Sequence, residues 1–472
     1  MTSRGIRTWA AAALLALALA VATTACGGTS TSAGGGGTDG AAVVPADSLA
    51  YVAIDSDLSS AQWKTVDGLL NKFPGKDELL AKLRASFEKD TKANWETDVK
   101  PALGKEIDVA VFGAKPYVVG LTQPADKAKF DALVKKLNAS DSGNPAVTAD
   151  VSGWTVLADT QAAIDAFKQA SSGSKLADDS SFKDAMSSLS DDALVKAYAN
   201  GPKVIAALTK AAGPMATENL PKVITNLQSA AAELVAVDNG LKLDGTLKSS
   251  GGESLHAYTP KLVDKVPTGA LAYLSFKGFA SAQLSSIPMM GLAFGAVIQK
   301  LGTILANENA VYVRPGTPIP EVTLVATPDD PQAAVATVTG LLKQFGSKVS
   351  DAGGGVQEAN FGRFSVFYGV VDGDFIATDS KQGLSDFKSG SSLTDDPTYK
   401  EAVSVSGMPS ETTGFLYVNL KDAIPLVESL AQLGGATIPP VVSNNLAPLR
   451  TLTIYGTSKS GELGFSAFLE VK

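Results

Sequence analysis

The residues able to do chemistry are few. The 472-residue chain holds one His and one Cys. His256 stands in Glu253-Ser254-Leu255-His256-Ala257-Tyr258. A lone imidazole at a strand edge is more often a hydrogen-bonded surface group than a general base. No Gly-x-Ser-x-Gly elbow occurs, so a Ser–His–Asp hydrolase is not expected. Acid pairs recur at Asp178-Asp179, Asp191-Asp192, Asp329-Asp330 and Asp395-Asp396. None stands in the Asp-x-Asp-x-Asp-Gly spacing that supplies calcium with oxygens. Adjacent acids before an apolar helical run read as N-caps and first-turn charges. Asp55-Ser56-Asp57 and Asp372-Gly373-Asp374 read as turns at strand ends. Ala352–Gly355 is Gly-rich but lacks a following Lys-Ser/Thr, so it reads as a loop rather than a phosphate cradle. The expectation is a protein without an enzyme's catalytic set, metal or cofactor.

The single Cys has a different setting. Arg4 and Arg7 precede an uninterrupted apolar run of 14 residues, Trp9–Ala22, and the small residues Thr23-Thr24-Ala25 lead to Cys26. The run is too short for an ordinary membrane span of about 20 residues. The layout is that of a secretory signal over residues 1–25. It resembles the lipobox of bacterial lipoproteins, which implies lipidation of Cys26. Residues 26–43 follow as a Gly/Ser/Thr-rich tether with an r.m.s. span of roughly 20–25 Å. The expected location is the outer face of the bacterial cytoplasmic membrane, held by the N-terminal lipid. With 40 basic and 48 acidic residues the net charge is −8, which argues against nucleic acid as a partner.

The body carries an internal repeat. Val44-Pro45-Ala46-Asp47-Ser48-Leu49-Ala50-Tyr51 matches Val266-Pro267-Thr268-Gly269-Ala270-Leu271-Ala272-Tyr273. Ser60-Ala61-Gln62 matches Ser281-Ala282-Gln283, and Ile164–Lys168 matches Leu384–Lys388. Leu176–Ala185 matches Leu393–Ala402. The offsets are 222, 221, 220 and 217, in one order. The division is therefore residues 44–262 and 263–472. Short alternating strands are expected at Ala50–Asp55, Ile107–Phe112, Tyr117–Leu121 and Ala193–Ala199 in the first half, and at Leu271–Phe276, Ala310–Val313, Glu321–Ala326 and Gly414–Leu420 in the second. Helices are expected at Ala125–Leu137 and Pro331–Phe345, and hairpins at Asp372-Gly373 and Asn239-Gly240. The fold class is α+β: two tandem homologous halves, each a mostly antiparallel sheet with helices packed on one face.

The Pro-x-x-x-Leu-Ala-Tyr openings at Pro45 and Pro267, the Leu-x-Asp-Asp-x-x-Phe/Tyr segments and Asp191-Asp192-Ala193-Leu194 resemble a bacterial family catalogued as domain of unknown function 3352. The resemblance implies an envelope protein and supplies no catalytic residue.

The halves differ most after their first strand. The first has a charged stretch containing Lys64, Asp67, Lys72, Lys76 and Glu78. The second has Ile287–Ile298, 12 residues with no charge. A helix without a polar face must be covered on all sides. The cover of the apolar segment 287–305 is either core or a lipophilic ligand. Met289, Met290, Leu292, Phe294, Val297 and Ile298 are the candidate ligand or interface surface. The expected function is a membrane-anchored envelope lipoprotein that binds a hydrophobic small molecule or an envelope protein. The alternatives are a structural or interaction scaffold at the membrane surface and a His-independent hydrolase.

Overall fold

The computed structural model describes residues 38–140, 145–213, 222–251, 255–278, 300–316, 319–362, 364–387, 390–459 and 461–472. The chain divides into two compact units, residues 1–253 with 471–472, and residues 254–470. That boundary lies a few residues before the Leu262/Val263 division drawn from the repeat. Helices and antiparallel strands make each unit α+β.

The first unit contains β1 (Ser48–Asp55), α1 (Ala61–Leu70), α2 (Lys76–Thr91), β2 (Glu106–Phe112), β3 (Tyr117–Thr122) and α3 (Lys127–Ser140). It continues with β4 (Val147–Val151), β5 (Trp154–Ala158), α4 (Gln161–Ala170), α5 (Ser180–Met186), β6 (Val195–Asn200), α6 (Gly201–Ala212), β7 (Leu227–Val237) and β8 (Gly240–Ser249). Its antiparallel sheet runs β4-β5-β3-β2-β1-β6-β7-β8. Strand alternation decides what is buried. Along β2, Glu106, Asp108, Ala110 and Phe112 are buried, whereas Ile107, Val109 and Val111 are half-buried. The buried face meets α4 and α5, which present Ile164, Phe167 and Phe182. Edge-on ring pairs join Tyr51 to Phe182 at 5.7 Å and Phe112 to Phe167 at 5.5 Å. Truncating any of these rings would cost about 3–5 kcal/mol.

The second unit contains β9 (Ala272–Lys277), β10 (Glu308–Arg314), β11 (Glu321–Ala326), α7 (Pro331–Gln344), β12 (Lys348–Gly353), β13 (Val356–Asn360), β14 (Ser365–Val371) and β15 (Asp374–Thr378). Then follow α8 (Lys381–Asp386), α9 (Pro397–Ser406), β16 (Gly414–Asn419), α10 (Leu420–Leu433), α11 (Pro440–Leu446), β17 (Leu449–Lys459) and β18 (Glu462–Val471). The pairings give β12-β13-β14-β15-β11-β10-β9-β16-β17, all antiparallel. The central order β3-β2-β1-β6-β7 thus has a counterpart in β11-β10-β9-β16-β17, and the second unit carries one more hairpin at the flank.

The sequence-matched segments meet inside each unit. Leu176 N–H donates to the Val44 carbonyl at 2.8 Å, and Leu393 N–H donates to the Val266 carbonyl at 2.7 Å. The acids behind those leucines cap helices. Asp179 accepts from Phe182 N–H, and Asp396 accepts from Thr398 and Tyr399 N–H. Asp330 caps α7 through Ala333 N–H, with Pro331 in the first turn. The Asp372-Gly373 turn has φ of 52° and 83° at its two residues, the left-handed pair a tight hairpin needs. Residues 300–304 are helical. Ile304 is buried with Phe375, Tyr368 and Ala334, and Leu301 and Leu305 pack against them. The described end of segment 287–305 is therefore core.

Candidate functional site

The most unusual chemistry in the first unit is a pair of acids under its own N-terminal turn. Tyr51, Glu106 and Asp108 are 0%, 6% and 0% exposed. β1 and β2 place them: Tyr51 pairs with Ala110, and the two acids precede Ala110 on the same face of β2. The Tyr51 hydroxyl donates to Asp108 Oδ1 at 2.8 Å and reaches Glu106 Oε1 at 3.3 Å. The short 3-10 turn Asp39–Ala42 closes over them, with Gly40 N–H 3.5 Å from Glu106 Oε1. Among the described residues no N–H or hydroxyl donor reaches Asp108 Oδ2. It lies so near Gly40 that a Cβ there would come within 1.8 Å of it. Burial, reinforced by the neighbouring Glu106 carboxyl, pushes Asp108 well above the usual carboxylate range. The same burial and the two carboxyls raise the Tyr51 hydroxyl. This cluster can store a proton. Tyr51 and Asp108 are sealed, while Glu106 reaches the adjoining cleft.

Beside it lies a cleft of about 900 Å³, whose lining includes Asp57, Lys100, Lys105, Glu106, Gln123 and Trp154. At its edge, Asp55 ends β1 and is 1% exposed. Its Oδ2 accepts from Ser60 Oγ at 2.6 Å and its Oδ1 accepts from Asp57 N–H at 2.9 Å. Burial outweighs both hydrogen bonds and lifts its carboxyl to about 6. Among the described residues, no group of three or more His, Cys, Asp or Glu is placed to hold a metal ion.

The second unit handles the corresponding place differently. Tyr273 pairs with Tyr312 across β9 and β10, which puts Ala310 where the first unit has Asp108. Glu308 accepts from Lys261 and Leu262 N–H, each at 2.8 Å, beneath the turn Leu262–Asp264. Among the described residues the buried Tyr417 hydroxyl finds no hydrogen-bond partner. On the opposite sheet face an aliphatic ladder crosses six strands: Ala377, Leu324, Val311, Leu274, Leu416 and Ile454. Leu274 and Ile454 are 39% and 37% exposed, and Val322 beside them is 45% exposed. Such a face has the chemistry of a contact surface for apolar groups.

Cys26 and the six expected surface residues Met289, Met290, Leu292, Phe294, Val297 and Ile298 lie outside the described residues. His256 is exposed, ahead of the buried Tyr258. Asp191 lines the cleft, while Asp179 and Asp396 of the repeated Leu-x-Asp-Asp motif are caps. Gly353, Gly354 and Gly355 all take positive φ and form the β12–β13 turn, as a loop before a strand requires. Sequence reasoning missed Glu106 and Asp108. The signal was available: both share strand parity with the apolar Ala110 and Phe112.

Comparison with known proteins adds a family. A model described as protein of unknown function, DUF3352, matches residues 134–310. It is the family that the Pro-x-x-x-Leu-Ala-Tyr openings resemble. No curated protein matches. Among solved structures, crystal form IV of TP0453 is 16% identical with a TM-score of 0.28, covering 44% of this chain and 80% of that one. Crystal form III of TP0453 is 15% identical with a TM-score of 0.25, covering 44% and 79%. Both scores are too low to establish a shared fold.

Proposed function

We propose that the chain is a non-enzymatic lipoprotein of the bacterial envelope that binds a hydrophobic small molecule. Cys26 carries the lipid, residues 26–37 are the tether, shorter than the 26–43 read from the sequence because Asp39–Ala42 and Val43 fold into the core, and the body stands on the outer face of the cytoplasmic membrane. The body consists of two homologous α+β halves; in the second, helices cover both faces of the sheet rather than the one expected, since Ile376 meets α8 and α9 while the adjacent Phe375 meets α7. The collinear sequence matches, the common central strand order and the paired Leu176–Val44 and Leu393–Val266 hydrogen bonds support that duplication.

The observation carrying the ligand reading is the half-exposed aliphatic ladder of the second unit. Covering it removes apolar area from water at about 25 cal/mol per Å². The test is organic extraction of protein purified from cells, followed by mass spectrometry. A lipophilic compound should come with the parent chain and be depleted in Leu274→Asp with Ile454→Asp. A parent chain that carries nothing sinks the ligand reading. The anchor is tested separately, because Cys26→Ser should abolish incorporation of a labelled fatty acid.

A second reading is an envelope-protein partner. It is favoured by Phe361 and Phe364, 42% and 56% exposed and stacked at 5.1 Å. Crosslinking in cells should then give one defined adduct.

A further inference from the structure

The cleft of the first unit, about 900 Å³, is of the size that small organic ligands fill. Glu106 stands in its wall although only 6% of the residue is exposed. The Tyr51 hydroxyl and the Gly40 N–H both approach Glu106 Oε1, which leaves Oε2 to the cleft. Among the described residues no N–H or hydroxyl donor reaches that oxygen. A buried acceptor without a donor is costly, and a ligand that donates to it removes the cost. Asp55 nearby differs, because Ser60 Oγ and Asp57 N–H take its two oxygens. Asp39, Asp57 and Asp191 also line the cleft, so four acids face two bases, Lys100 and Lys105. Lys100 Nζ lies 3.7 Å from Glu96, which offsets its charge. Trp154, Leu58 and Leu103 supply apolar wall.

We propose that this cleft binds a small organic amine, whose ammonium group donates to Glu106 Oε2 while its carbon frame lies against Trp154 and Leu103. Three features select this class. The carboxyl oxygen left over at Glu106 needs a donor, and an ammonium group brings three donors and no acceptor to set against the surrounding acids. The excess of acids in the lining attracts a cation and repels a carboxylate or phosphate. The apolar wall rewards a carbon frame, which a bare inorganic ion lacks. A charge-assisted bond is roughly twice as strong as a neutral one, so a hydroxyl in the same place holds less firmly. The site goes beyond the hydrophobic-ligand reading, since it lies in the other unit and uses none of the ladder residues.

The probe is cadaverine, titrated calorimetrically into the full chain at low salt and neutral pH, with pentanediol and glutarate as its neutral and anionic matches. Cadaverine should bind, and the diol and the diacid should not. Glu106→Gln keeps the side-chain volume and should weaken binding about thirtyfold, the loss of a charge-assisted contact at a buried group. Lys105→Glu changes an exposed residue of the lining and should tighten binding about threefold. It tests the site even if Glu106→Gln disturbs the fold. Leu274→Asp with Ile454→Asp should leave cadaverine binding as it is, so this site and the ladder stand or fail separately. A chain that takes up no cadaverine at millimolar concentration overturns the proposal. So does equal binding of the amine and the diol, or an affinity that neither Glu106→Gln nor Lys105→Glu alters. Displacement of cadaverine by an equal concentration of calcium also overturns it, because the cleft would then hold an inorganic cation.

Discussion

The outer-face ladder of the first unit reads Gly120, Val109, Val52, Ala197 and Ala232. The same ladder in the second reads Leu324, Val311, Leu274, Leu416 and Ile454. One strand order thus carries Gly, Ala and Val in one unit and Leu, Ile and Val in the other. The acids show the reverse. The first unit buries Glu106 and Asp108 around Tyr51, and the second leaves Tyr273 beside Ala310. Among the described residues, three exposed large apolar side chains belong to the first unit and thirteen to the second. The Tyr–Glu–Asp cluster belongs to one unit, and most of the exposed large apolar side chains among the described residues belong to the other. A common scaffold therefore says little about what either unit contacts, because recognition depends on side chains that the backbone leaves free to vary.

The strongest way to break this contrast is Gly40→Ala. A Cβ has no room above Asp108, whereas Leu262 carries a full side chain at the matching turn of the second unit. The turn must lift, and the first unit should lose about 3–4 kcal/mol. Hydrogen exchange should show the loss confined to that unit. Exchange protection falling equally in both would refute the separation.

The next largest effect is in pH. The folded unit holds the Asp55 proton more tightly than the unfolded chain, since its carboxyl rises from 3.8 to about 6. Raised acids lose stability as pH climbs from the unfolded to the folded value. Between about pH 4 and pH 6 the parent should therefore lose about 3 kcal/mol that Asp55→Asn retains. The matching position of the second unit is the exposed Lys277. Urea titrations at pH 4, 5 and 6 check this, and parallel curves for parent and variant would contradict it.

Helix caps sharpen the comparison at smaller scale. Asp179 receives one backbone N–H. Asp396 receives Thr398 and Tyr399 N–H, and also Thr268 Oγ1 at 3.0 Å and Gly269 N–H at 3.2 Å. Asp179→Ala should cost about 1 kcal/mol and Asp396→Ala about 2 kcal/mol, measured by urea unfolding. The smallest change belongs to the exposed ladder. Ile454→Thr keeps the β-branch of a half-exposed position and should cost about 0.5 kcal/mol. It should still reduce binding of an apolar fluorescent dye; unchanged dye binding would place the contact surface elsewhere.

Much of the strand pattern was legible because alternation and turn residues agree. Glu321–Ala326 matches its observed bounds, and Asn239-Gly240 and Asp372-Gly373 sit at hairpins. Helices α6 and α10 were not. Each begins directly at a strand end and holds a proline, Pro202 or Pro425, which weakens a helical pattern. In the fold, Asn200 and Asn419 cap these helices through Lys203 and Asp422 N–H, and Pro202 stands in a first turn that needs no N–H there. The hairpin β12–β13 was hidden by weak alternation, since its strand Lys348–Gly353 is almost wholly solvated. The acid pair escaped notice because charge is ordinarily a sign of exposure. Only strand parity with Ala110 and Phe112 shows that Glu106 and Asp108 face inward.

The turn at Asp39–Ala42 has a mechanical consequence. Any tension arriving along the chain ahead of it falls first on Gly40 and its seat over the two acids, before it can shear β1 from its neighbours. Loosening that seat would admit water to Asp108 and let its proton go. Lifting the turn would therefore change the charge inside the first unit.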